Sequence, residues 1–239
     1  MADVLSAFGA QNGDAAVIGF TMEGRSIPSG GHLQGIQRTY TAKPYFVISG
    51  SLDHEAYFIV VDKTTDGYGI IQKKIIASAP YRHAGGIQII GDYLVVGVED
   101  NSEKDKSRVC FFDIREPEKP IGDPIVTIQR EGEEKLATAG AVAIVKRPVD
   151  HLLIVGSWNS DTLDFYRSNG MAIGESGCEF MYWQTWSKDD SCRENWCDDI
   201  WGNYQNLNLV GDTDDHLFLV GYYCNEDAVK YPAPMICAM

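Results

Sequence analysis

A hexapeptide, His32-Leu-Gln-Gly-Ile-Gln37, returns 51 residues later as His83-Ala-Gly-Gly-Ile-Gln88. Weaker copies run from Thr138 to Ala143 and from Asn203 to Asn208, at further intervals of 55 and 65 residues. Each copy leads into a second apolar run that ends at a glycine: Gly50, Gly97, Gly156 and Gly221. The distances from the opening residue to that glycine are 18, 14, 18 and 18 residues, too regular for coincidence. A chain repeating at this period must fold as a set of like units, each burying its apolar faces against its neighbours.

The content of each unit fixes its type. A third run follows in the first three units (Tyr57 to Asp62, Val109 to Asp113, Leu163 to Tyr166), and then a fourth (Ile70 to Ile76, Ile125 to Gln129, Glu179 to Trp183). These runs are short, rich in β-branched and aromatic residues, and separated by Gly, Asp, Asn and Pro, the pattern of antiparallel strands. Helical periodicity is absent, so no helix is predicted. Four strands recurring as a set describe an all-β fold, a β-propeller of four-stranded antiparallel blades, better than a sandwich. The glycines of the opening strands, Gly35, Gly85, Gly86 and Gly140, read as packing residues where inner strands crowd an axis.

The repeats run approximately over 32–77, 83–130, 138–186 and 203–239, within a single domain spanning 1–239. Ala15 to Thr21 reads as a lone strand ahead of the first unit, and the fourth unit shows two strands before a run ending Tyr231-Pro-Ala-Pro-Met-Ile-Cys-Ala-Met239. The expectation is therefore three full blades plus partial ones, a fragment of a five- or six-bladed ring.

The His-x-x-Gly-Ile-Gln element, the stretch from Gly91 to Asp100 and Leu163 to Ser168 together resemble a group of uncharacterised bacterial propeller-like proteins, and distantly the YncE-type and LVIVD-repeat propellers. The resemblance covers roughly residues 14 to 222. It implies a repeat scaffold used for binding or, less often, for catalysis, and it brings no functional residues with it.

Composition narrows the partners. A net charge of −14 repels phosphate backbones, which argues against nucleic acid. No eighteen apolar residues run together and Met1 to Ala10 lacks a basic flank, so neither a membrane span nor a signal peptide is predicted, and a cytoplasmic location is the default. Of six cysteines, Cys110 lies in an apolar run and reads as a buried thiol. A Cys192/Cys197 bridge is one reading of the late cluster, but that spacing matches no strong zinc signature and free or structural thiols are the simpler one.

In a four-stranded meander the start of the first strand and the loop between the second and third strands lie at the same face. That places His32, His83, Thr138 and Asn203 beside Asp53 and Glu55, Glu99 and Asp100, Trp158, Asn159 and Asp161, and Asn225, Glu226 and Asp227. The tryptophan-rich segment from Cys178 to Trp201, with Trp183, Trp186, Trp196 and Trp201, returns to the same end. The predicted ligand-binding residues are His32, His83, Glu99, Asp100, Trp158, Asp161, Trp186, Trp196 and Asn203. A small molecule, a carbohydrate or a basic peptide or protein suits imidazoles, tryptophan and carboxylates in a concave mouth. The alternative is a metal-dependent enzyme with a divalent metal on His32 and His83, for which a third protein ligand is still wanted. No Gly-x-Ser-x-Gly elbow is present, and no acid opens a first strand as a propeller glycosidase would ask. His54, His151 and His216 read as structural, and the opposite face, with Lys43, Lys63, Lys119, Lys146 and Arg147, reads as solvated connection.

Overall fold

The computed structural model describes residues 3–10, 31–64, 67–132, 137–189, 203–222 and 235–238. The lone strand expected over Ala15 to Thr21 lies outside these residues. Fifteen strands and one short helix, α1 (Val4–Gly9), make up the described elements. The first sheet holds β1 (His32–Arg38), β2 (Phe46–Ser51), β3 (Glu55–Thr64) and β4 (Gly67–Ser78). The second holds β5 (His83–Ile90), β6 (Tyr93–Glu99), β7 (Lys106–Asp113) and β8 (Val126–Glu131), and the third β9 (Ala141–Lys146), β10 (His151–Gly156), β11 (Thr162–Ser168) and β12 (Phe180–Ser187). In each, strands pair antiparallel in chain order, so the sheets are meanders, the blades of a β-propeller.

Two expectations are corrected. The fourth sheet has three strands, not two: β13 (Asn206–Gly211), β14 (Leu217–Tyr222) and β15 (Met235–Ala238), the last pairing Leu219 with Cys237. A four-residue strand is too short to show alternation, so the run ending at Met239 carries no strand signal of its own. The helix Val4–Gly9 is likewise too short to display a helical period.

Strands buried on both faces explain the near-continuous apolar runs. Along β7, Phe112 faces the first sheet, edge-on to Phe58 at 5.3 Å, while Phe111 faces the third, 4.9 Å from Phe180. Leu94 and Val96 of β6 join the first of these cores and Val95 the second. On β10, Leu153 and Val155 pack toward the second sheet, whereas Leu152 and Ile154 pack toward Leu207, Leu209 and Leu219 of the fourth. Cys110 is a buried free thiol whose pKa burial pushes up to about 11.

The first strands β1, β5, β9 and β13 line the axis. β1 and β5 each carry a bulge at the glycines of the repeated hexapeptide, between Leu33 and Ile36 and between Ala84 and Ile87. The bulge brings backbones together: the Gly86 amide donates to the Gly140 carbonyl at 2.9 Å. A Cβ on Gly85 would collide with that same carbonyl and lie 2.8 Å from the carbonyl oxygen of Ala139. Gly85→Ala is therefore expected to cost about 3 kcal/mol through overpacking against backbone that cannot yield. Gly122→Ala, with nothing near its added methyl, should stay within about 0.5 kcal/mol. Chemical denaturation of both variants checks the contrast, and equal losses would remove the axial close approach from the account.

Candidate functional site

At one end of the axis the first-strand starts meet the loops between second and third strands, because register pairs His32 with Ser51 and His83 with Glu99. Rings from three successive sheets form a column there. His32 lies 5.3 Å from His83, His83 lies 5.2 Å from Trp158, and the Lys104 ammonium stands 4.6 Å from the Trp158 centroid.

The column is anchored from below. Glu99 is fully buried, and its carboxylate accepts from His83 Nδ1 at 2.8 Å and from the Ala139 amide at 2.6 Å. That bond fixes the ring and leaves Nε2 as the nitrogen free for other partners. The Trp158 amide donates to Thr138 Oγ1 at 2.9 Å, so the residue matching the histidines in the third repeat holds the tryptophan instead of joining the column. Beside His32 is a cavity of about 210 Å³ lined by Ser51, Leu52, Asp53, Arg82 and Asn101. Arg82 donates through Nε to Asn101 Oδ1 at 3.0 Å and through its terminal nitrogen to Ser102.

Other predicted residues have different places. Asp100 is buried, and its Oδ1 accepts the Ser102 and Glu103 amides, which shapes the turn that presents Lys104. Asp161 pairs with Lys188 at 3.0 Å. Trp186 is on β12, the outermost strand of its sheet, with its ring 4.6 Å from Phe165, where it extends the core between the third and fourth sheets. Asn203 is exposed just before β13. Trp196, Trp201, Cys192, Cys197, Asn225, Glu226 and Asp227 lie outside the described residues.

For metal, His32 and His83 offer two imidazoles. Among the described residues, the one group of three His and carboxylate side chains close enough to share an ion is Asp212, Asp214 and His216, in the β13–β14 turn. Sequence reasoning missed Arg82 and Lys104, and also a buried latch between the second and third sheets. There Arg130 bonds Asp164, the Thr138 carbonyl and, at 2.9 Å, the Tyr166 hydroxyl. Desolvation nevertheless raises the Asp164 pKa, against the pull of Arg130.

No family model and no curated protein matches this sequence. Among solved structures, the chain is similar to an exo-β-1,3-galactanase from Phanerochaete chrysosporium in complex with β-1,3-galactotriose, at 11% identity and a TM-score of 0.56. The match covers 92% of this chain and 49% of that one, so this chain spans about half its length. A GH43_1 enzyme from Xanthomonas citri complexed with xylotriose is similar more remotely, at 6% identity and a TM-score of 0.34 over 87% of each chain. The first likeness bears on the fold, which agrees with the blades described above.

Burial, and secondarily the nearby His83, lowers the His32 pKa. The unfolded chain then binds a proton at His32 more readily than the folded one. Stability from this source is complete above about pH 6.5 and is lost as pH falls through the depressed folded value. His216 acts in the opposite sense, since the Asp212 hydrogen bond raises its pKa. The fall in Tm between about pH 7.5 and about pH 5.5 is expected to be smaller in His32→Gln than in the wild type. An equal or larger fall would mean that His32 does not titrate in this way.

Proposed function

We propose that this chain is a ligand-binding propeller whose ligand meets the mouth bearing His32, His83 and Trp158, and that the ligand is a carbohydrate. The observation that carries this reading is the ring column, which spans three sheets and is held from beneath by a buried carboxylate. Flat amphipathic rings bind the apolar face of a sugar, while groups at the edge take its hydroxyls. Arg82, Asn101 and Asp53 supply such an edge, and a cavity of about 210 Å³ is on the scale of one sugar ring rather than a peptide segment. A solved structure similar to this chain, an exo-β-1,3-galactanase, is a complex with β-1,3-galactotriose.

Binding is favoured over hydrolysis by the state of the acids. Cleaving a glycosidic bond takes two carboxylates flanking it. Glu99 is enclosed and committed to His83 and Ala139, and Asp100 to its turn, which leaves Asp53, among the described residues, as the acid lining the cavity. A basic peptide is the second reading: the Lys104 ammonium already rests on Trp158, and the chain carries a net charge of −14. The metal-dependent alternative on His32 and His83 would require stoichiometric metal that either His→Ala substitution removes, which elemental analysis decides.

Calorimetric titration with β-1,3-galactotriose is expected to saturate, and Trp158→Ala and His83→Ala to weaken it about tenfold or more, a loss of about 1.4 kcal/mol. Lys119→Ala, on the opposite face, should leave it unchanged. Binding of a pentalysine peptide in place of the sugar would transfer the assignment to the second reading. Binding of neither, or insensitivity to Trp158→Ala, would refute this mouth as the site.

A further inference from the structure

A cavity of about 540 Å³ lies at the other end of the axis, against the face that reads from sequence as plain connection. It is a cleft between the second and third sheets, bounded by the β5–β6 turn, the β9–β10 turn and the loop from β11 to β12. The apolar part of its lining comes from Ile90, Tyr93, Val149, Met171 and Ile173. Val149 is 72% exposed there, an apolar side chain presented at the rim of an open cleft. A volume in this range accommodates a small organic molecule.

The charges around it differ from those of the chain as a whole. Asp150 is held by both Arg147, in two 2.6 Å bonds, and Arg167 at 2.9 Å, which keeps its pKa low. Two guanidiniums on one carboxylate leave a net positive charge. Asp92 is paired with Arg115 at 3.3 Å. Lys146 lines the cleft with no ion pair among the described residues. His151 also lines it, nine-tenths buried, and its Nδ1 has no hydrogen-bond partner. A buried imidazole nitrogen left without a partner beside a roomy cleft is unusual in a native core.

We propose that this cleft is a second ligand site, which takes a small organic carboxylate with an apolar body. Its carboxylate pairs with Lys146, and its body lies against Tyr93, Val149 and Met171. A carboxylate suits the local positive charge in a chain that is otherwise strongly acidic, and the apolar part of the lining gives a purely inorganic anion nothing to displace water from. The site is independent of the carbohydrate reading, since it lies on the opposite face and shares no residue with the ring column.

The probe pair is naphthalene-2-carboxylate and the neutral 2-naphthalenemethanol, titrated calorimetrically into the intact chain. The carboxylate is expected to bind saturably and at least about fivefold tighter than the alcohol, corresponding to about 1 kcal/mol. Lys146→Ala, at an exposed position, should erase that preference while leaving alcohol binding unchanged, and Val149→Glu, at the exposed rim, should weaken both probes and the carboxylate more. Ala172→Trp, which fills the cleft, should abolish both, and Trp158→Ala should alter neither. Equal affinity for acid and alcohol, a preference that survives Lys146→Ala, or the absence of saturable binding would overturn the proposal. The two surface variants decide the matter even if Ala172→Trp does not fold.

Discussion

The innermost strand of each sheet is a sheet edge. One side of β5 pairs with β6, but the other carries bare amides and carbonyls toward the axis, where three like edges converge. Most of what is distinctive in the repeat follows from satisfying those groups in little space. Gln88 does the largest share: its side-chain oxygen accepts the amides of Ile144 at 2.8 Å and Leu209 at 2.9 Å, and its nitrogen donates to the Leu209 carbonyl at 3.0 Å. Asn206 takes the Ile87 amide at 3.0 Å, and Ser49 joins the Gly35 amide to the Gly85 carbonyl. A side-chain amide is needed because it both donates and accepts. An aliphatic residue at Gln88 would orphan two amides, at about 1–3 kcal/mol each.

The same hub positions the mouth. The bulges at Leu33/Ile36 and Ala84/Ile87 exist because glycine backbones press together at the axis, and they set where β1 and β5 begin. His32 and His83 thereby stand in register with the loops after β2 and β6, where Glu99 can reach the imidazole. In the third sheet β9 pairs with β10 without a bulge, and Thr138 holds the Trp158 amide. The column of unlike rings is thus a product of three imperfect copies of one motif.

The period, the strand type and the packing role of the glycines were legible in sequence because each rests on local chemistry repeated at fixed spacing. The face shared by His32, His83 and Trp158 was legible because antiparallel pairing dictates it. Which side chains turn inward was harder to see. Glu99 looks like a loop acid until the cross-strand partner of His83 is known, and Trp186 looks like a free aromatic until the bulge between Phe165 and Tyr166 shifts the parity of β12. Lys104 depends on a turn with a positive φ of 58°, which no propensity announces. The latch of Arg130 and Asp164 joins residues 34 apart in different sheets and leaves no periodic trace.

A meander gives its two ends different tasks for a physical reason. At the ring-column end, loops must follow the inner-strand starts, so their side chains crowd the axis and are fixed by buried partners such as Glu99 and Thr138. At the other end, hairpin turns diverge from the axis, and the wedge between adjacent sheets stays open unless a loop fills it. The loop from β11 to β12 covers part of the wedge beside Tyr93, whose hydroxyl crowds Gly174. The rest remains as the cleft beneath Val149. The ring-column end is therefore preorganised, whereas the open wedge offers apolar area with charge at its rim. The uneven charge follows the same geometry, because Arg147 and Arg167 sit at hairpin ends where long side chains can extend around Asp150.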